Sequence, residues 1–154
     1  MTKPMKLSPE IVQPVSPVAH KRYVFLLLKD YSALSFNCAI EALRMANGHN
    51  RQDYFDWMVL SENGDPVSCS NGLLSHVQGS LIELNRHDTL IVVGGDNAQQ
   101  HSTLRILNWL RREARRGVTI GALSSGTYTL AMAGLLNDRK ATTHWEYLGT
   151  FSEV

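Results

Sequence analysis

The sequence has 154 residues, 44% of them hydrophobic and 19% charged, with a formal net charge of +1. That length suits one domain with a real core, and the near-neutral balance gives the chain no bulk attraction for nucleic acid. Cys38 and Cys69 form no CxxC pair, no secretory leader is recognisable, and no apolar run approaches the roughly 20 residues of a membrane helix. A reduced cytoplasmic setting without membrane contact is therefore expected. His20, His49, His76, His87, His101 and His144 are scattered without metal-ligand spacing, so neither a metal nor a cofactor is expected.

Residues 1–20 hold four of the five prolines, and their lack of periodicity predicts a disordered or extended arm ahead of a domain over 21–154. Residues 23–28 (Tyr-Val-Phe-Leu-Leu-Leu) are apolar on both faces, as in a strand buried inside a parallel sheet. After a short loop, Ser35 can cap a helix over about 36–47, with Phe36, Ala39, Ile40 and Leu43 on one face and Asn47-Gly48 as its stop. Residues 54–60 read as a second strand. The turn signals Asn63-Gly64 and Asn71-Gly72 predict short antiparallel strands over 67–70 and 73–77. Residues 89–93 form another buried strand, ending in Gly94-Gly95-Asp96. A helix with Leu104, Leu107, Leu110 and Ala114 on its apolar face follows, stopped by Gly117. Residues 118–123 are the next strand, then Ser124-Ser125-Gly126, a helix over about 127–133 and Gly134.

Strands alternating with helices imply an α/β fold, a doubly wound, mostly parallel sheet of flavodoxin-like type flanked by helices. In such sheets ligands bind beyond the carboxyl ends of the strands. Three segments meet there: the loop after Leu28, Gly94-Gly95-Asp96, and Ser124-Ser125-Gly126. In residues 121–126 (Gly-Ala-Leu-Ser-Ser-Gly) small residues flank Ser124, as at the apex of a nucleophile elbow, with Ala122 in place of the first glycine. An ordinary tight strand–helix turn fits those residues equally well. Gly94 and Gly95 allow backbone amides to approach a ligand, as in an anion nest, or merely suit a loop needing positive φ. Glu41 lies at the edge of the first helix's apolar stripe, where a carboxyl can reach the strand ends; a lone helix glutamate is more commonly solvated. His144 follows Ser124 and Asp138 in triad order, but within a short stretch, and a polar ligand contact or a structural hydrogen bond suits it better than a base. Five arginines at 105, 111, 112, 115 and 116 suggest a solvated helix face, since no aromatic stripe accompanies them for stacking on nucleic acid.

Residues 121–136 (Gly-Ala-Leu-Ser-Ser-Gly-Thr-Tyr-Thr-Leu-Ala-Met-Ala-Gly-Leu-Leu) with 139–145 (Arg-Lys-Ala-Thr-Thr-His-Trp) resemble the signature of GlxA-type regulators of the AraC family, whose amino-terminal domain is PfpI-like, related to class I glutamine amidotransferases. Ile40-Glu-Ala-Leu-Arg-Met-Ala-Asn47 resembles their first helix and Leu90-Ile-Val-Val-Gly-Gly95 their central strand. The resemblance implies a ligand-sensing domain for a small effector, nearest to regulators of arginine, carnitine, choline and glycine betaine catabolism. It also implies a homodimer, with DNA contacted only through a carboxy-terminal helix-turn-helix module beyond this sequence, and a domain that continues past Val154. PfpI enzymes carry a cysteine at the elbow, usually followed by histidine, with a glutamate from the first helix nearby. Ser124 stands at the cysteine position, Ser125 follows it, and Glu41 matches the glutamate. A hydroxyl ionises far less readily than a thiol, so Ser124 is a degenerate nucleophile position and no enzyme is expected. The expected ligand contacts are Glu41, Gly94, Gly95, Asp96, Ser124, Ser125 and His144, and the competing reading is a serine-nucleophile hydrolase of the PfpI superfamily.

Overall fold

The computed structural model describes residues 20–50, 53–143 and 149. The expected arm over 1–20 falls, His20 apart, outside the described residues, and so does His144. Four strands, β1 (Lys21–Leu27), β2 (Phe55–Leu60), β5 (Thr89–Val93) and β6 (Thr119–Leu123), pair entirely in parallel in the order β2-β1-β5-β6. The order reverses between β1 and β5. Helix α1 (Ala33–Asn50) carries the chain from β1 to β2 on one side, whereas α3 (Leu104–Arg115) carries it from β5 to β6 on the other. The carboxyl ends of β1 and β5 are therefore the switch point at which a doubly wound sheet opens a crevice.

Alternation along the strands divides the core into two layers. Val24, Leu26, Leu90 and Val92 face Ile106, Trp109, Leu110 and Leu130 of α3 and α4 (Gly126–Met132). Phe25, Leu27, Val59 and Val93 face Tyr31 and Phe36, with Ala39, Ile40 and Leu43 of α1 packed against them. The apolar stripe predicted for α1 is thus the face that covers the sheet. The excursion between β2 and β5 is an antiparallel pair, β3 (Val67–Ser68) with β4 (Leu74–Ser75), and a short helix α2 (Ala98–His101) precedes α3.

The ends of α1 differ from the sequence expectation. Ser32, not Ser35, caps the helix: its Oγ accepts from the Ser35 amide at 3.3 Å, while Ser35 Oγ merely pairs with it at 3.0 Å. The start moves because the Ser32 amide donates to Gly94 O at 2.9 Å, which fixes the chain before the first turn. At the other end Asn47-Gly48 does not stop the helix. Asn47 instead turns its amide toward β2, donating to Phe55 O at 2.7 Å and accepting from Phe55 N at 3.0 Å.

The arginines of α3 are mostly engaged within the fold. Arg111 donates to the carbonyls of Met132 and Ala133, both at 3.0 Å, at the end of α4. Arg112 and Arg116 flank the fully buried Glu113 at 2.9 and 3.6 Å, and Glu113 in turn accepts from the Leu84 amide. Arg105 hydrogen-bonds Asn63. The two Asn47 bonds are the side-chain clasp between the last turns of α1 and the first residue of β2. Asn47→Ala should therefore cost about 1–3 kcal/mol of unfolding free energy, since it removes both and leaves a strand amide without its acceptor. Urea denaturation with an unchanged midpoint would show that this clasp contributes nothing.

Candidate functional site

The three strand-end segments meet so closely that their backbones leave no room for side chains. A Cβ on Gly94 would lie 2.3 Å from Gly126 N, one on Gly95 2.0 Å from Asp30 O, and one on Gly126 2.4 Å from Val92 O. Real Cβ atoms do not approach other heavy atoms so closely, so glycine is obligatory at these positions for steric reasons. The Gly94 amide donates to Leu123 O at 3.2 Å, and its carbonyl accepts from Ser32 N. The anion-nest role considered for Gly94 is therefore not open to its amide, which is spent inside the sheet.

Ser124 follows β6 at the apex of this junction with φ 53°, in the left-handed region, and its residue is half-buried. A left-handed turn between strand and helix is what the elbow pattern predicts, and for a non-glycine residue it stores about 1–2 kcal/mol of strain. Ser125 is fully buried, and its Oγ donates to Gly95 O at 2.5 Å. That bond leaves α4 without a side-chain cap at Ser125. It makes Ser125 a tie between the β5 and β6 loops, facing inward rather than toward a ligand. Asp96 is exposed, and its amide donates to Asp30 O at 3.1 Å. Among the described residues no histidine or carboxylate hydrogen-bonds the Ser124 hydroxyl.

Glu41 is not brought to this junction. It lies eight residues beyond the start of α1, about 12 Å along the axis at 1.5 Å per residue. Its carboxylate is exposed and held by Arg44, with contacts of 2.6 to 3.0 Å, which keep it below the usual glutamate range. The reason is register: residue 41 falls on the helix face opposite Phe36, Ile40 and Leu43, toward solvent. The expected gathering thus holds for Gly94, Gly95, Asp96, Ser124 and Ser125, and not for Glu41.

Sequence reasoning passed over a second group beside the junction. Asp30, also left-handed at φ 58°, accepts from Ser68 Oγ at 3.1 Å and meets His101 Nε2 at 3.2 Å. Three elements, the β1 loop, the β3–β4 hairpin and α2, are thereby joined through one carboxylate. The signal was present in the sequence, since Asp30 lies in the loop after β1. The long separation to His101 hid their contact. His101 and Ser68 line a cleft of about 430 Å³, which runs from the ends of β1 and β2 to the start of α3.

The comparisons agree with this geometry. The family model "DJ-1/PfpI family" matches residues 21–153. The chain is 43% identical over 129 residues to the HTH-type transcriptional regulator CdhR of Pseudomonas aeruginosa, covering 84% of this chain and 38% of that protein. It is 33% identical over 135 residues to the HTH-type transcriptional regulator GlxA of Rhizobium meliloti, covering 87% and 42%. A crystal structure of an AraC family transcriptional regulator from Pseudomonas putida superposes with a TM-score of 0.73 at 32% identity, covering 86% of this chain and 71% of that one. The chain spans about two fifths of the length of the curated relatives it matches.

The close backbone approach makes a paired prediction. Gly95→Ala should destabilise the fold by about 3 kcal/mol or more, because backbone must move to admit the methyl group. Ser124→Gly should stabilise it by about 1 kcal/mol, because the left-handed strain disappears. Thermal denaturation reads both; a tolerated Gly95→Ala, or a destabilising Ser124→Gly, would contradict this junction. A left-handed serine apex, glycines where three strand ends touch, and matching relatives lead to one conclusion: the chain belongs to the DJ-1/PfpI family, in the form found in AraC-type transcriptional regulators.

Proposed function

We propose that this domain senses a small nitrogen-containing metabolite, of the arginine, carnitine, choline or betaine class, at the carboxyl ends of its strands, as the effector domain of an AraC-type regulator. It turns nothing over. The observation that carries this reading is Ser124: the strained apex holds a hydroxyl, not a thiol, with no partner base among the described residues to draw off its proton. The regulator names of the relatives point the same way. In this reading the protein acts in the cytoplasm as a homodimer, and DNA is contacted through a separate helix-turn-helix module. No described helix is long and apolar enough to cross a membrane, in keeping with that setting.

One observation favours a second reading, a serine hydrolase. The left-handed φ of Ser124 is the conformation that exposes a nucleophile at an elbow. Two measurements separate them. A ligand present at about 100 times its Kd adds about 2.7 kcal/mol to stability, so Tm should rise by about 5–10 °C for a domain of this size. A panel of amines, amino acids and betaines should produce such a shift with at least one member. A fluorophosphonate probe should leave Ser124 unlabelled in the folded protein, as read by mass spectrometry. Labelling that is lost in Ser124→Ala would favour the hydrolase, and a silent panel would remove the support for sensing.

A further inference from the structure

The 430 Å³ cleft is not the elbow. Its floor is apolar, formed by Leu27, Leu28, Val67 and Ile106, and it lies where β1 and β2 end. That size and composition suit a metabolite rather than a macromolecule. Its rim carries formal charges from two neighbouring strand ends: Lys29 beyond β1, and Glu62 and Asp65 beyond β2. Glu62 Oε1 accepts from Thr103 Oγ1, the N-cap residue of α3, at 2.7 Å. Among the described residues, no hydrogen bond reaches Glu62 Oε2, the Asp65 carboxylate or the Lys29 ammonium. One residue of positive and two of negative charge thus line a space with room for a ligand.

The lining also discriminates between kinds of cation. No Phe, Tyr or Trp contributes to it. Quaternary ammonium groups carry no N–H and are recognised by aromatic faces. Guanidinium and primary ammonium groups instead donate charge-assisted hydrogen bonds to carboxylates. Carboxylates without an aromatic cage therefore select hydrogen-bonding cations.

We infer that this cleft is the effector seat, and that it takes an amphoteric metabolite of net positive charge, one carboxylate with two hydrogen-bonding cationic nitrogens, as in a basic amino acid. Glu62 and Asp65 receive the side-chain cation and Lys29 the carboxylate. His101, at the cleft wall, is fixed by Asp30, whose carbonyl also holds the Asp96 amide beside the glycine junction. A continuous set of hydrogen bonds thus joins the cleft wall to the glycine junction. This inference rests on the sensing reading and narrows it.

The test is isothermal titration of the 154-residue chain with L-arginine, L-lysine, glycine betaine and choline. L-arginine or L-lysine should bind at least about tenfold more tightly than either quaternary ammonium compound, the loss expected when charge-assisted bonds are missing. Glu62→Gln retains an acceptor for Thr103, and Asp65→Asn is isosteric. Each should weaken binding of the basic amino acid about tenfold or more, while urea midpoints match the parent and the exposed Cys38→Ser binds like it. Tighter binding of glycine betaine or choline would overturn the choice of cation. Full affinity in both acid-to-amide variants, with loss in Ser124→Ala, would move the seat to the elbow and leave the sensing reading intact. If none of these ligands binds, the inference fails; if a wider metabolite panel is also silent, the sensing reading fails with it.

Discussion

Everything at the functional end of this molecule depends on how near three backbones come to one another. Gly94, Gly95 and Gly126 lie where the ends of β1, β5 and β6 converge, with no space for a Cβ at any of the three. The contact fixes the start of α1 through Ser32 and the start of α4 through Ser125, so both layers of helices are referenced to one point. Beside it the residue after β6, Ser124, turns left-handed with φ 53°. A chain that retains the junction retains an elbow whether or not it performs chemistry there. This is how a family can share a frame while its members differ in what they do.

The electrostatics separate structural charge from charge available to a ligand. On α3, Arg111 satisfies the last carbonyls of α4, while Arg112 and Arg116 compensate Glu113, a carboxylate with no access to water. Burying such a group without partners is strongly unfavourable. The arginine density of this helix therefore needs no nucleic acid to account for it. Around the cleft the situation is reversed: among the described residues no hydrogen bond reaches the Lys29 ammonium or the Asp65 carboxylate, although the Asp65 carbonyl accepts from Ser61 Oγ at 2.8 Å. Charge that the fold does not consume is the better guide to function.

Much of this was legible in the sequence. Runs such as 23–28 and 89–93 have no polar face and fit only strands covered on both sides. Ser124 between small residues marks the apex, whereas Gly94 and Gly95, read as admitting a ligand, admit neighbouring backbone instead. The ends of α1 were not legible, because Ser32 and Asn47 take their roles from partners distant in sequence, Gly94 and Phe55. Glu41 was misplaced for a different reason. Its register puts it on the face opposite Phe36, Ile40 and Leu43, where it pairs with Arg44 in solvent. The Asp30–His101 contact and the cleft beside it arise from folding 71 residues of separation into one wall, which no local pattern records.

The central claim is that a hydroxyl sits at a strained apex beside a cleft that binds without reacting. A crystal structure of the chain grown with L-arginine tests it most directly. The account predicts Ser124 unmodified with φ near 53° and ordered density between Glu62, Asp65 and Lys29. Density continuous with Ser124 Oγ, or a Ser124 relaxed into regular helix, would contradict it.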